Sequence, residues 1–224
     1  MTDLQPIILS LELAAITTLI LFMIAVPLAY LLADSDFRLK PVISALISMP
    51  LVLPPTVLGF YLLVAFSPNY FFGGIIEKLF NIRLVFSFEG LIIASMIYSL
   101  PFMLNPIQAG LENLPVSLKE ASYTLGKSKF KTLIKVLLPN IKPSLLTGAV
   151  LSFAHTVGEF GIVLMIGGNI PGKTRVASLA IYDEVESLNY HNANVYALTL
   201  FVITFLILLS VYVFNRKYLR SGSL

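Results

Sequence analysis

Eight consecutive residues, GGNIPGKT at 167–174, have the types and spacing that cradle phosphate: Gly167, four residues, then Gly172, Lys173 and Thr174. A glycine-rich turn of this kind offers backbone N–H groups to the anion, with the lysine beside them. Two other groupings invite chemistry. His155 and Glu159 stand four apart, as a metal pair on one helical face does. Asp183, Glu184 and Glu186 cluster within four residues.

The chain that must position them restricts what they do. Hydrophobic residues make up 57% of the 224 and charged residues only 12%, with a mean hydropathy of +0.88. Soluble domains run at about 25% charged, so this composition points to an all-α polytopic membrane protein. The absence of Cys excludes disulfides and thiolate metal sites. The N-terminus has no basic region ahead of its long apolar run, so no cleavable signal is expected. A net charge of +3 belongs to topology here, not to nucleic acid.

Five segments are long and apolar enough to span, near 7–33, 42–66, 87–110, 143–166 and 192–215. FFGGIIEKLF at 71–80 is too short and charged to cross. It is an interfacial helix, or part of a sixth span. Pro27, Pro50, Pro54, Pro55, Pro101 and Pro106 fall in or near spans, and the Pro54–Pro55 pair is expected to kink or split the second.

Lys and Arg are unevenly shared between the loops. Segments 34–41, 111–142 and 215–224 hold two, six and three; segments 1–6, 67–86 and 167–191 hold none, two and two. The positive-inside rule therefore places 111–142 and the C-terminus in the cytoplasm and the N-terminus outside a cell membrane. That puts GGNIPGKT on the outer side, after a membrane span. No strand–helix units surround it, and no strand ends in an Asp for magnesium. A helix-ending Gly/Pro/Asn turn is the reading that fits.

Within the fourth span, Gly148, Ser152, His155 and Glu159 recur at four, three and four, which places them on one face. Polar groups at membrane depth face a bundle interior or a watery path. Glu159 lies about 24 Å along the span from Pro143 at the helical rise, so it is expected near the outer surface and solvated. The face is read as pore-lining or as a subunit contact. His155 and Glu159 are expected as a hydrogen-bonded pair in preference to a metal site. A protonated His155 would attract a passing anion. Thr56 and Gly59 on the second span, and Ser95, Phe102, Asn105 and Ala109 on the third, are further pore candidates by polarity, with packing as the alternative. Lys173, Arg175, Asp183 and Glu184 are candidate contacts for an extracytoplasmic partner. No catalytic residue and no metal site is expected.

The basic segment 114–148, LPVSLKEASYTLGKSKFKTLIKVLLPNIKPSLLTG, reads as two short helices joined at Gly126. The first carries Leu118, Ala121 and Leu125 on one face. The second sets Phe130, Leu133, Ile134 and Leu137 against Lys127, Lys129, Lys131 and Lys135. Such a block needs a partner surface, or a lipid surface, to cover its apolar face.

Glu120-Ala121-Ser122, Gly126, Val136, Leu138 and Pro139 resemble the E-A-A-x3-G-x9-I-x-L-P loop of ABC importer permeases. Ser122 stands for the second Ala and Val136 for Ile. The resemblance implies that 114–140 forms coupling helices docking on a cytoplasmic ATPase dimer, which alone binds ATP and magnesium. The stretches SMPLVLPPTVLGFYLL and FAHTVGEFGIVLMIGGNIPGKTRVASLAIYDEVE resemble molybdate importer permeases. Tungstate and sulfate/thiosulfate permeases share the plan. Membership implies one permease domain over 1–224, acting as a homodimer that meets a molybdate-binding protein outside. It also implies no enzyme activity and no cofactor on this chain. A secondary transporter would leave the coupling loop unexplained.

Overall fold

The computed structural model describes residues 3–221, with side chains to Val213. The remainder of the C-terminal segment, on which part of the charge count rests, lies outside the described side chains. Every regular element among the described residues is helical, as the composition requires.

Helix α1 (Gln5–Asp34) runs unbroken through Pro27. Its buried residues Leu13, Thr17, Leu21, Ala25, Ala29 and Leu32 recur every three or four positions, and this stripe packs on α5 (Phe88–Glu112) and α9 (Lys142–Val157). The opposite face leaves Ile8, Leu19, Met23 and Leu31 about 60% exposed. A helix apolar all round, with half its surface uncovered, suits lipid.

The second span breaks where the prolines fall. Helix α2 (Lys40–Ser48) passes through a 3-10 turn (Met49–Leu51) and turns by 109° into α3 (Pro55–Phe66). Pro54 and Pro55 have no N–H to continue the helical ladder, and Pro55 suits the first turn of the next helix. Segment 71–80 forms a separate ten-residue helix α4 (Phe71–Phe80), too short to span. The fourth span is not the single helix expected over 143–166. It ends at Val157, and a second helix α10 (Gly161–Gly167) starts after a three-residue break. Before it, the segment 129–140 meets α9 at 80°. Among the described residues three helices are long and apolar enough to cross: α1, α5 and the stretch 190–213 of α12 (Tyr190–Ser221). Counting each bent pair as one gives five.

Helix α11 (Ala177–Glu186) ties these parts together. Val176 precedes it and cannot cap it, so a residue of α1 does: Ser10 Oγ accepts from Ala177 N at 2.8 Å and donates to the Pro6 carbonyl at 3.0 Å. Three apolar clusters among the described residues fill the bundle. One joins Leu21, Ala29, Met103, Ile107, Leu133 and Leu137; a second joins Leu13, Leu91, Ile162, Val163, Ile166 and Leu179; a smaller third joins Ile7, Ala177, Ala180 and Tyr196. Gly148 lets α9 lie against α5, because a Cβ there would sit 2.8 Å from the Met103 carbonyl oxygen.

Candidate translocation path and partner surfaces

The basic segment folds as a compact block. Helix α6 (Val116–Thr124) ends at Leu125, and Gly126 takes φ +72°, the left-handed conformation that suits glycine. Helix α7 (Lys129–Thr132) follows, capped by Ser128 Oγ, then a π-turn (Leu133–Leu137) and α8 (Leu138–Asn140). The second half carries Leu133 and Leu137 into the core, while Phe130 (70% exposed), Ile134, Val116 and Leu125 stay outside. Glu120 and Ala121 are exposed beside them, and Val136 and Leu138 are half-buried. Ser122 is buried: its hydroxyl lies 2.8 Å from that of Thr132. Lys119 pairs with Asp34 at the end of α1, and Lys40 with Glu112 at 3.5 Å. The block is thus held from behind and presents an apolar and charged face forward.

A cavity of about 460 Å³ lies where both broken spans break. Thr56 at the start of α3, Tyr98 on α5, and His155, Gly158, Glu159 and Phe160 line it. Two expectations change here. Glu159 is not solvated near a surface but 4% exposed, because the helix stops before it and the chain turns inward. Neither carboxylate oxygen has a hydrogen-bond partner among the described residues, and Ser95 Oγ, equally buried and unpartnered, lies within electrostatic reach. Nor do His155 and Glu159 form a pair.

His155 bonds instead to α5, with Nδ1 3.0 Å from Ser99 Oγ. The hydrogen-bond chain fixes its tautomer. Thr156 Oγ1 donates to the Ser152 carbonyl at 3.0 Å, so it accepts from Ser99 Oγ at 3.0 Å. Ser99, its proton used, accepts from His155 Nδ1–H. The neutral ring therefore holds Nε2 as an acceptor. Phe102 stacks on it at 3.9 Å and Tyr98 lies at 4.5 Å.

Ser152 is fully buried, with an unpartnered hydroxyl. Asn105 is exposed on α5 and does not line the cavity. Sequence reasoning passed over Tyr98, Ser99 and Thr156. Ser99 and Thr156 are single hydroxyls with no pattern of their own, and only the crossing of α5 and α9 joins them. Among the described residues no group of three or more His, Asp or Glu is placed to hold a metal.

The phosphate-like loop is occupied by itself. The backbone N–H groups of Lys173, Thr174 and Arg175 all turn toward the Ile170 carbonyl, at 3.1, 2.9 and 3.0 Å. Thr174 Oγ1 is buried, donates to the Gly167 carbonyl at 2.6 Å and accepts from Ile170 N at 3.0 Å. No N–H fork is left for a phosphate at these three residues. Of the partner-contact candidates, Lys173 is exposed. Arg175 and Asp183 are spent on each other at 2.7 Å, and Asn169 donates to both Asp183 oxygens at 2.8 and 2.9 Å. Glu184 accepts from Asn189 at 2.7 Å.

Spanning helices broken at prolines and glycines, with a mainly apolar cavity holding a few polar side chains at the breaks and a folded basic block at one end, define a polytopic permease. The chain belongs to the family of binding-protein-dependent transport system inner membrane components, whose model matches residues 25–220. It is 45% identical over 214 residues to the molybdenum transport system permease protein ModB of Azotobacter vinelandii, covering 96% of this chain and 95% of that one. It is 34% identical to the putative molybdenum transport system permease protein YvgM of Bacillus subtilis (91% and 89% covered). It is also 34% identical to the sulfate transport system permease protein CysT of Escherichia coli K12 (86% and 69%). Among solved structures, a bacterial ABC transporter importing the acidic polysaccharide alginate matches with TM-score 0.79 at 15% identity, covering 96% of this chain and 79% of that one. The MetNI methionine ABC transporter matches at 0.72 and 18% identity, covering 96% and 95%. At these identities the likeness is one of fold, that of ABC importer permeases.

Proposed function

We propose that the chain is the membrane-spanning subunit of an ATP-driven molybdate importer, working as a homodimer. The observation that carries this reading is the 45% identity, end to end, to a molybdenum permease. Block 114–140, with Glu120, Ala121 and Gly126 on its outer face, docks on a separate cytoplasmic ATPase dimer. That dimer binds ATP and magnesium; this chain binds neither and makes or breaks no covalent bond. Loops 67–86 and 167–191 receive a molybdate-loaded binding protein outside, with the N-terminus on that side. Nucleotide binding draws the coupling blocks of the two copies together and opens the path outward, and hydrolysis resets it.

The cavity at Thr56, His155 and Glu159 lies on that path. Its chemistry suits passage more than capture. A buried carboxyl group and an imidazole acceptor offer a dianion no counter-charge, so selection rests with the binding protein.

The test is co-purification with the ATPase encoded beside it, wild type against Glu120→Lys, with ATPase activity measured with and without loaded binding protein. A stoichiometric ATPase, stimulated by loaded protein and lost in the variant, is the expected result. No associated ATPase would favour a secondary transporter or a lipid-surface role for the block. Uptake competition between molybdate, tungstate and sulfate ranks the oxyanion, and sulfate winning would move the reading to the relatives of CysT.

A further inference from the structure

The turn between α11 and α12 is built in a way its own stability does not explain. Helix α11 ends in a Schellman motif: Leu188 N bonds to the Val185 carbonyl at 3.0 Å and Asn189 N to the Glu184 carbonyl at 2.8 Å. The position between them requires the left-handed conformation, and glycine ordinarily supplies it. Here it is leucine, at φ +58°. A bulky residue in that region is strained, and this one recovers nothing by burial, being 73% exposed. Tyr182 and Val185, six and three residues before it, are 42% and 41% exposed, and Tyr190 beyond it 63%.

The charge around this apolar knob has one sign. Glu184 and Glu186 flank it on α11. Arg175 is bonded to Asp183, and the hydrogen-bond partners of the two glutamates are neutral: Asn189 for Glu184 and Tyr182 for Glu186. That rim argues against a bilayer surface, where anionic headgroups select Lys and Arg. An apolar centre with a charged rim is the anatomy of a protein interface.

We propose that Leu188 is the anchor of a protein-docking patch, rimmed by Glu184 and Glu186. Its occupant is the extracytoplasmic binding protein, presenting an apolar socket edged by Lys or Arg. The inference rests on the import reading above and relocates the contact predicted from sequence. Arg175 and Asp183 are internal braces; the contact is made by the strained turn. Strain held in a free, exposed residue is a mark of function when nothing else explains it.

The test uses the transporter assembled with its ATPase in lipid nanodiscs, titrated with molybdate-loaded binding protein. Leu188→Gly restores the residue the turn ordinarily takes, so its melting midpoint is expected at or above wild type. Binding is expected to weaken tenfold or more. Glu184→Gln with Glu186→Gln should slow association and flatten its salt dependence. The chain has no tryptophan, so Leu188→Trp in the permease reconstituted without its ATPase into lipid vesicles gives one reporter of lipid contact per copy, and brominated lipid should leave it unquenched. Unchanged binding by Leu188→Gly, or quenching by brominated lipid, overturns the inference while the import reading stands. A binding protein that ignores the wild-type complex overturns both.

Discussion

Ser122 Oγ and Thr132 Oγ1 lie 2.8 Å apart, both residues buried, and this contact closes α6 against α7. Ser122 is the position where this segment departs from the Ala of the motif it resembles, and the departure adds a bond. A buried hydroxyl pair is worth about 1 kcal/mol. Ser122→Ala and Thr132→Val should each lower stability by about that much, and the double variant by less than the sum. Melting of the purified protein in detergent measures this. Additive losses would mean that the two hydroxyls do not act together.

Gly126 joins the two halves of the same block at φ +72°, and a Cβ there would meet nothing within 4 Å. The cost of Gly126→Ala is therefore conformational alone, about 1 kcal/mol. The ATPase should be retained by Gly126→Ala and lost by Gly126→Asp, which adds a charge to the docking face. If both lose it equally, the turn's shape and not its surface governs docking.

Gly148 lies where α9 crosses α5. A methyl group 2.8 Å from the Met103 carbonyl oxygen would force the helices apart, and overpacking of this kind costs about 1–3 kcal/mol. Gly158→Ala is the control, since its nearest neighbour would be 3.7 Å away. Thermal melting of the two variants should differ in that order.

His155 links the cavity to α5 through Ser99. His155→Phe keeps the stacking on Phe102 but removes the donor to Ser99, so stability should fall by about 1 kcal/mol, and Ser99→Ala should cost less in that background than in the wild type, because only its bond to Thr156 remains to be lost. Tyr98 and Glu159 are the titratable groups facing the ring across the cavity. If gaining a second proton at Nε2 assists an anion, the acid side of the uptake profile should flatten in His155→Gln. An unchanged profile ends that idea.

On α11 the Glu186 carboxylate accepts from the Tyr182 phenol and holds its pKa above the ordinary value of 10.0. The protonated phenol is the favoured form, so the bond persists through neutral pH and is lost only as pH rises past the raised value. Glu186→Gln should bring one tyrosine back toward ordinary titration. Ultraviolet difference titration of the two proteins reads this directly.

Composition and the length of the apolar runs determined the class. A chain with so few charges has no polar surface to offer water, and its apolar runs have the length of a bilayer. Glu120, Gly126 and Pro139 marked a folded basic block at 114–140 because turn, charge and a missing N–H are local properties, readable at fixed spacing. The Pro54–Pro55 break was legible for the same reason: a missing N–H acts where it stands.

Glu159 was misplaced from sequence. Spacing extended the helix through it, whereas the chain breaks at Gly158 and turns the carboxylate into the protein. The partner of His155 was likewise out of reach. Ser99 lies 56 residues away and becomes a neighbour only when α5 and α9 cross. GGNIPGKT kept the letters of a phosphate loop, yet its N–H groups turn onto Ile170. Residue order sets what each segment forms alone, since helix caps, prolines and hydrophobic length act over a few bonds. Which buried polar groups meet, and which stay unpaired, was decided by the packing of whole helices, whose contacts no local pattern encodes.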